Sequence, residues 1–391
     1  MRLSASREVT VTLADERAAL ARVVAVAVDS GATVGERVHL AATDAVRSGL
    51  SPLGPVIGLP IAAAQASAAV GFAATRLISL ALGEAVAVGL HLHAPAIDEP
   101  DTPRKTAAVA GLSAAFGDQL AADPWLVPLT RPMAVRRAGR DLALARESLA
   151  DAFPDTTGAL CVLLHGLGGS DLQWGSDYLA AVSGEGLTPL TIRYNTGRSL
   201  TDNGQALGDL LKSAVACWPT PVTRIVLVGH SMGGLVARAA LHHAERDGQD
   251  WARQVSDVVT LGTPHGGAPL EKVASVAIAL LRLTPVTDPI ADLADSRSAG
   301  IKDLRHGTVA ADADGRLPEG VHHHAVVATL GETLHNLKAL LIGDGMVRVA
   351  SALGLHPPHR VHRLTGTGHN ALLDHPTVTE VLRGVAGRRP A

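Results

Sequence analysis

The pentapeptide Gly229-His230-Ser231-Met232-Gly233 constrains this chain more than any other feature. It follows the apolar run Arg224-Ile225-Val226-Leu227-Val228 and precedes the helix-like Leu235-Val236-Ala237-Arg238-Ala239-Ala240-Leu241. The order is therefore strand, sharp turn, helix. Glycines at both ends let the backbone fold tightly enough to lift the Ser231 hydroxyl above a sheet edge. Five residues recur by chance, so the weight rests on three further parts. A serine nucleophile needs a base, an acid that orients the base, and fixed N–H groups for the oxyanion.

The oxyanion donors are expected first. Ala159 to Leu164 reads as a buried strand ending in the glycine-rich His165-Gly166-Leu167-Gly168-Gly169-Ser170. The N–H of Leu167 and that of Met232, just after the nucleophile, are the candidate donors. A phosphate-cradling loop is the other reading of such glycines, but neither G-K-[ST] nor G-x-G-x-x-G is present.

In chains built on such an elbow the acid follows the serine and the histidine comes last. Val321 to Leu330 reads as a strand, and Gly343-Asp344-Gly345 follows after a loop. Asp344 is the expected acid, because flanking glycines let a carboxylate project from a tight turn towards an imidazole. Closing a turn is the ordinary role of Asp-Gly and stands as the alternative. Asp288 and Asp292 are weaker competitors, in a proline-containing segment with no clear strand before it.

His369 is the expected base, where the short strand from Val361 runs into Gly366-Thr367-Gly368 before a last helix from Pro376. The chain has 18 histidines, so position decides. His375 precedes Pro376 and reads as the start of that helix. His322-His323-His324 reads as strand, since consecutive strand residues point to opposite faces and do not converge on one ion.

With these residues in place, the chain resembles the lipase and esterase branch of the α/β-hydrolases. The carriers are Leu163 to Ser170, the elbow, Leu261-Gly262-Thr263-Pro264-His265-Gly266-Gly267-Ala268-Pro269-Leu270 and the His369 region. More closely it resembles bacterial hydrolases similar to the catalytic domain of GPI inositol-deacylase, over roughly Ala159 to Leu382, including Arg193 to Gly197 and Arg297 to Leu304. The resemblance implies an α/β fold with a mostly parallel sheet, Ser231 as nucleophile, Asp344 as acid and His369 as base. It implies a carboxylic ester substrate, with lipid-like esters favoured, and does not imply a GPI anchor. His165 and His265 are candidate pocket residues, and a structural place in its loop is an equal reading for His265. No metal or organic cofactor is called for. A thioesterase or acyltransferase is the alternative reaction, since an acyl-enzyme passes its group to water or to another nucleophile. A catalytically silent lipid-binding or scaffold protein is the alternative from another class.

A net charge of -3 gives no electrostatic footprint for nucleic acid, and 2% aromatic residues leave few rings for stacking bases or sugars. Cys161 and Cys217 are read as reduced core residues. The first ten residues lack the apolar core of a secretory signal, so the default location is cytoplasmic, with membrane association open.

The first 124 residues are expected to be a helical region for lipid or partner docking, followed by a hydrolase domain over 125–391 with a cap insertion at about 270–320. Leu20, Val23, Val24, Ala27 and Val28 share one helix face, and Val34, Val38, Ala42 and Val46 form a stripe in the next segment. Ser48 to Thr75 carries no charge, but Pro52, Pro55 and Pro60 leave only Ile61 to Thr75 uninterrupted, short of the roughly 20 residues of a span. Helices packed on themselves or on the hydrolase domain are the first reading, and peripheral membrane contact the second. Leu92 to Thr106 reads as a linker. Met133–Val135 and Leu142–Leu144 read as a hairpin turning near Ala138-Gly139, with Arg131, Arg136, Arg137, Arg140 and Arg146 on a solvated face. Within the cap, Ala274 to Leu281 is an apolar helix candidate.

Overall fold

The computed structural model describes residues 13–49, 55–93, 102–124, 126–130, 132–268, 298–307, 316–332, 342–354 and 358–388. Asp288, Asp292 and the segment 274–281 lie outside them. Contacts group the chain into two units, one built on residues 1–99 with 120–130 and 274–296, the other on 100–119, 131–273 and 297–391.

In the first unit, α1 (Leu13–Gly49) and α2 (Pro55–His93) form a helical hairpin. The two stripes expected on separate segments lie on one continuous helix, because Ser30 and Gly31 carry no proline-type clash and the helix runs through them. Pro55 opens α2 at a position whose N–H has no intrahelical acceptor, and Pro60, in the second turn, leaves out one i→i−4 bond. The pairing of Arg22 with Glu84, Glu36 with Arg76 and Thr43 with Gln65 shows that the helices run antiparallel.

The second unit is a sheet of eight strands, β1 (Ala134–Arg137), β2 (Arg140–Asp141), β3 (Ala159–Leu164), β4 (Thr188–Arg193), β5 (Arg224–His230), β6 (Val255–Leu261), β7 (His322–Thr329) and β8 (Arg360–Thr365). Their order is β2-β1-β4-β3-β5-β6-β7-β8. β1 pairs antiparallel with β2 and β4, and every pairing from β4 to β8 is parallel. The central strands are apolar without alternation because both faces are covered. Leu160, Val162 and Leu164 of β3 join one core with Leu207, Leu211, Leu235 and Val236, while Cys161 and Leu163 join the other with Trp174, Tyr178, Val378 and Val381. Those partners come from α6 (Leu200–Cys217) and α7 (Met232–Arg246) on one face, and from α5 (Ser176–Gly184), the turn just before it and the last helix (Pro376–Ala386) on the other. His375 caps that last helix, its Nδ1 accepting from the Thr377 N–H at 3.2 Å.

The hairpin turns at Ala138 and Gly139, both at positive φ, but its paired residues are shifted into the arginines. Arg136 is consequently not on a solvated face. Its side chain is buried against Asp141 and Asp171, and Arg146, the first residue of α4 (Arg146–Ala152), reaches the carbonyls of Trp218 and Pro219.

All but the last three residues of α3 (Pro103–Ala122), which the sequence placed with the helical region, belong to the sheet unit by their contacts. Asn195 donates to the Gly117 carbonyl at 2.9 Å, Ser298 N–H to Ala115 O at 3.0 Å and Ala299 N–H to Asp118 Oδ2 at 2.9 Å. Gly197 and Gly300 are where these segments touch, since a Cβ at either would lie 2.0 Å from a facing carbonyl oxygen.

Candidate active site

Ser231 follows β5 and caps α7 with φ 51° and ψ -121°. It is one of two non-glycine residues at positive φ among those described. Held backbone strain of this kind persists only where the surroundings over-determine it. Here the Ser231 N–H donates to Leu261 O at 2.8 Å, and the turn is packed backbone to backbone. A Cβ on Gly229 would lie 2.3 Å from the Gly234 nitrogen, and one on Gly233 2.3 Å from the Leu164 oxygen. The small residues are therefore required by contact as well as by conformation.

The loop after β3 lies against this turn. A Cβ on Gly166 would meet the Ser231 Cβ at 3.1 Å. Leu167, next in the chain, is followed by Gly168, whose N–H donates to Thr196 Oγ1 at 3.2 Å, and Gly169 N–H closes back on Gly166 O at 3.0 Å. Met232 is the first residue of α7, so its N–H has no intrahelical acceptor. Of the two candidate oxyanion donors, Met232 thus follows Ser231 directly and Leu167 follows the glycine packed on it.

Asp344 and His369 meet on loops at the same end of the sheet. His369 Nδ1 lies 2.7 Å from Asp344 Oδ2, both groups being buried. The other carboxylate oxygen accepts from the N–H groups of Met346 at 3.0 Å and Val347 at 2.7 Å, an arrangement that the positive φ of Gly343 and Gly345 permits. The His369 N–H donates to Asp344 O at 2.9 Å, which ties the two loops main chain to main chain. His369 Nε2 is buried and has no hydrogen-bond partner. The ring stands 4.9 Å from that of His230, the residue before Ser231. His230 Nε2 donates to the His369 carbonyl at 3.3 Å, and burial, reinforced by the neighbouring His369, pushes its pKa down to about 3. It is a neutral spacer between the elbow and the His369 loop.

The two candidate pocket histidines are both built into the scaffold. His165 is fully buried, accepts the Tyr194 N–H at Nε2 (3.2 Å), donates from Nδ1 to Gly166 O (2.9 Å) and stacks on the Tyr194 ring at 4.2 Å. Burial lowers its pKa to about 4, in keeping with this neutral tautomer. His265 Nδ1 accepts from Arg238 Nη1 at 2.6 Å, and its ring stands edge-on to His323 at 5.4 Å. Burial first, then the Arg238 charge, holds His265 well below its usual pKa.

The histidine run sits at the start of β7, at the opposite end of the sheet. His323 Nε2 bonds Thr260 Oγ1 at 2.9 Å and His324 Nε2 bonds Asp257 Oδ1 at 3.1 Å. Among the described residues no group of three or more His, Cys, Asp and Glu is placed to hold a metal ion. Cys161 is buried, and burial pushes its thiol up to about 12.

Sequence reasoning missed Tyr194, Asn195 and Thr196 as individuals. Tyr194 OH donates to His165 O at 2.6 Å, and Asn195 Oδ1 accepts from Gly197 N–H at 3.0 Å. The Arg-Tyr-Asn-Thr-Gly run after β4 was visible, but not which backbone groups it serves.

Comparisons with solved structures return a Bacillus licheniformis lipase, BlEst2 in mature form, at 20% identity over 58% of this chain and 91% of that one, with a TM-score of 0.44. They also return the RedJ thioesterase from the prodiginine pathway of Streptomyces coelicolor, at 14% identity over 60% and 91% with a TM-score of 0.38. Aspergillus fumigatus lipase B matches at 13% identity over 68% and 62%, with a TM-score of 0.37. No curated protein matches. Residues 190–338, from within β4 through β7, match the family described as a PGAP1-like alpha/beta domain. The strand order and the elbow between β5 and α7 are those of an α/β-hydrolase fold, and within it residues 190–338 match a PGAP1-like alpha/beta domain.

Proposed function

We propose that the chain is a serine hydrolase that cleaves carboxylic esters, lipid-like ones in particular, through an acyl-enzyme on Ser231. The observation that carries this reading is the state of His369. Its Nδ1 is engaged by a buried carboxylate while Nε2, beside the strained elbow, is left without a partner. An imidazole so arranged takes a proton at Nε2 and has the resulting charge stabilised at Nδ1.

Ser231 Oγ attacks the ester carbonyl carbon as its proton passes to His369 Nε2. The carbonyl oxygen gains negative charge, which the N–H groups of Leu167 and Met232 receive. As the intermediate collapses, His369 returns the proton to the departing alkoxide, and water then repeats the sequence to release the acid. Asp344 accepts the Nδ1–H throughout and so fixes that tautomer.

Labelling with a fluorophosphonate, followed by peptide mapping, tests the assignment. Adduct is expected on Ser231, and Ser231→Ala is expected to abolish it and to lower hydrolysis of a p-nitrophenyl ester by about four orders of magnitude or more. Adduct persisting in Ser231→Ala would place the chemistry on another residue. Turnover of a thioester but not of its oxygen ester would replace the substrate class while leaving the nucleophile in place.

A further inference from the structure

The α1–α2 hairpin has its polarity reversed relative to a helix pair in water. Polar groups join the helices to each other: Arg22 grips Glu84 with two bonds of 2.8 Å, Arg76 reaches Glu36 at 3.0 Å, and Gln65 donates to Thr43 at 2.8 Å and Asp44 at 2.9 Å. The large aliphatic side chains of α2 point away from that contact, with Val70 70% exposed, Leu77 74%, Ile78 59% and Leu82 61%. A hairpin stabilised by water would bury those side chains between its helices and leave the charges outside.

The breadth of the apolar surface identifies what covers it. Counting about 100° per residue, the exposed positions of α2 between Ala62 and Val88 sweep about 240° of its circumference. Glu84 is the one ionisable side chain in that arc, and Arg22 holds it. A protein partner packs along a stripe of about 100°, so a second copy or another helix would leave most of the arc in water. A surrounding medium of acyl chains covers all of it.

The hydroxyls behave accordingly. Thr33 donates to Asp29 O at 2.9 Å, Thr43 to His39 O at 2.8 Å, Thr75 to Gly71 O at 3.0 Å and Ser79 to Arg76 O at 2.9 Å, so each is satisfied within its own helix without water. α1 sets the depth. Its Arg17, Arg37, Asp44 and Arg47 are exposed, and such groups are not accommodated on a lipid-facing helix at mid-bilayer. The pair therefore lies along the membrane surface and does not cross it.

We propose that the α1–α2 hairpin is a membrane-embedded element lying in the plane of the interface, with α2 among the acyl chains and the exposed arginines of α1 at headgroup level. It attaches the chain to a lipid surface independently of hydrolysis at Ser231.

The test uses the full chain with vesicles of phosphatidylcholine, alone or mixed equally with phosphatidylglycerol. The chain is expected to float with the vesicles, more completely with the anionic lipid. The four native tryptophans lie outside α2, so Leu77→Trp adds a reporter whose emission is read as a difference from the unmodified chain. That added emission is expected to shift to the blue and to be quenched by lipids brominated on the acyl chain. The triple exchange Val70→Lys, Leu77→Lys and Leu82→Lys is expected to reduce the floated fraction about tenfold or more, with circular dichroism and melting unchanged. If the triple variant does not fold, quenching of the Leu77→Trp reporter decides alone. No flotation of the full chain, flotation that survives the triple exchange, or an unquenched reporter would overturn the proposal. So would a blue shift without vesicles accompanied by sedimentation as a dimer, which would assign the surface to a second copy.

Discussion

The sheet carries a buried carboxylate–imidazole pair at each end. Asp344 and His369 meet at 2.7 Å beyond the C-terminal ends of the strands, and Asp257 and His324 meet at 3.1 Å near the N-terminal ends. Asp257 is saturated: Arg224 and Ser256 donate to one oxygen at 2.9 and 2.7 Å, and His324 and Arg388 to the other at 3.1 and 3.3 Å. Arg224 in turn binds the carbonyls of Val385 and Ala386 at the end of the last helix, at 2.7 and 2.9 Å. At the other end the network stops short, because His369 Nε2 has no acceptor or donor. A buried Asp–His pair whose carboxylate is fully partnered serves as a clamp, and the proposed function gives the pair with an open imidazole nitrogen the work of moving a proton.

Exchanging the two acids should separate these roles. Asp344→Asn is expected to lower kcat on a soluble ester by about three to four orders of magnitude through the wrong tautomer, with little change in melting. Asp257→Asn is expected to cost about 3 kcal/mol of stability by leaving Arg224 uncompensated, while the folded fraction keeps kcat within about threefold. Steady-state kinetics and urea unfolding on both variants check the pair. Near-normal turnover in Asp344→Asn would remove the acid assignment and the contrast with it.

The pH dependence of stability sharpens the contrast. His165 has its pKa lowered to about 4, and His230 and His323 to about 3, burial being the leading cause in each. Below the unfolded value of about 6.5, the unfolded chain binds protons that the folded chain refuses. Stability is therefore full above about pH 6.5 and falls as pH drops towards these folded values, with a limiting slope of about 1.4 kcal/mol per pH unit for each histidine. Asp257 adds to the loss only at lower pH. Burial alone would raise its pKa, but bonds from His324, Ser256 and Arg224 outweigh that and hold it well below the usual carboxylate range. Urea midpoints unchanged between about pH 7 and pH 5 would contradict the neutral buried imidazoles.

The smallest expected effect concerns Thr196, whose hydroxyl accepts the Gly168 N–H next to Leu167. Thr196→Val is expected to lower kcat about tenfold, a fraction of what losing an oxyanion donor costs, with KM nearly unchanged. Thr196→Ser is expected to restore it. A change in KM alone, or no rescue by serine, would show that the hydroxyl does not act through the loop.

The elbow was legible because β5 is buried on both faces and so reads as an unbroken apolar run, while Gly229 and Gly233 are dictated by backbone contacts that no larger residue tolerates. The turn that carries Asp344 was legible for a similar reason, since Gly343 and Gly345 take conformations that only glycine adopts without strain. Arg136 misled because a charged residue near a turn reads as solvated, and its burial depends on Asp171, which the fold brings in from the loop after β3. Thr196 and Asn195 were hidden because they serve backbone groups remote in sequence, and such bonds leave no periodic trace. The reach of α1 through Gly31 was hidden because helix propensity at one glycine does not decide a helix packed along its length on another.

The loops that bring Asp344 and His369 together are pinned at their bases. Leu330 N–H donates to Gly343 O at 2.8 Å, Asp344 N–H to Val347 O at 3.2 Å and Ala268 N–H to Leu304 O at 2.7 Å. The first two of these bonds fix the turn that carries Asp344, and the third joins the residue after the β6 loop to the helix that ends near Leu304. Main-chain bonds of this kind do not depend on which side chains the joined residues carry, so the placement of Asp344 tolerates exchange of the side chains at Leu330 and Val347.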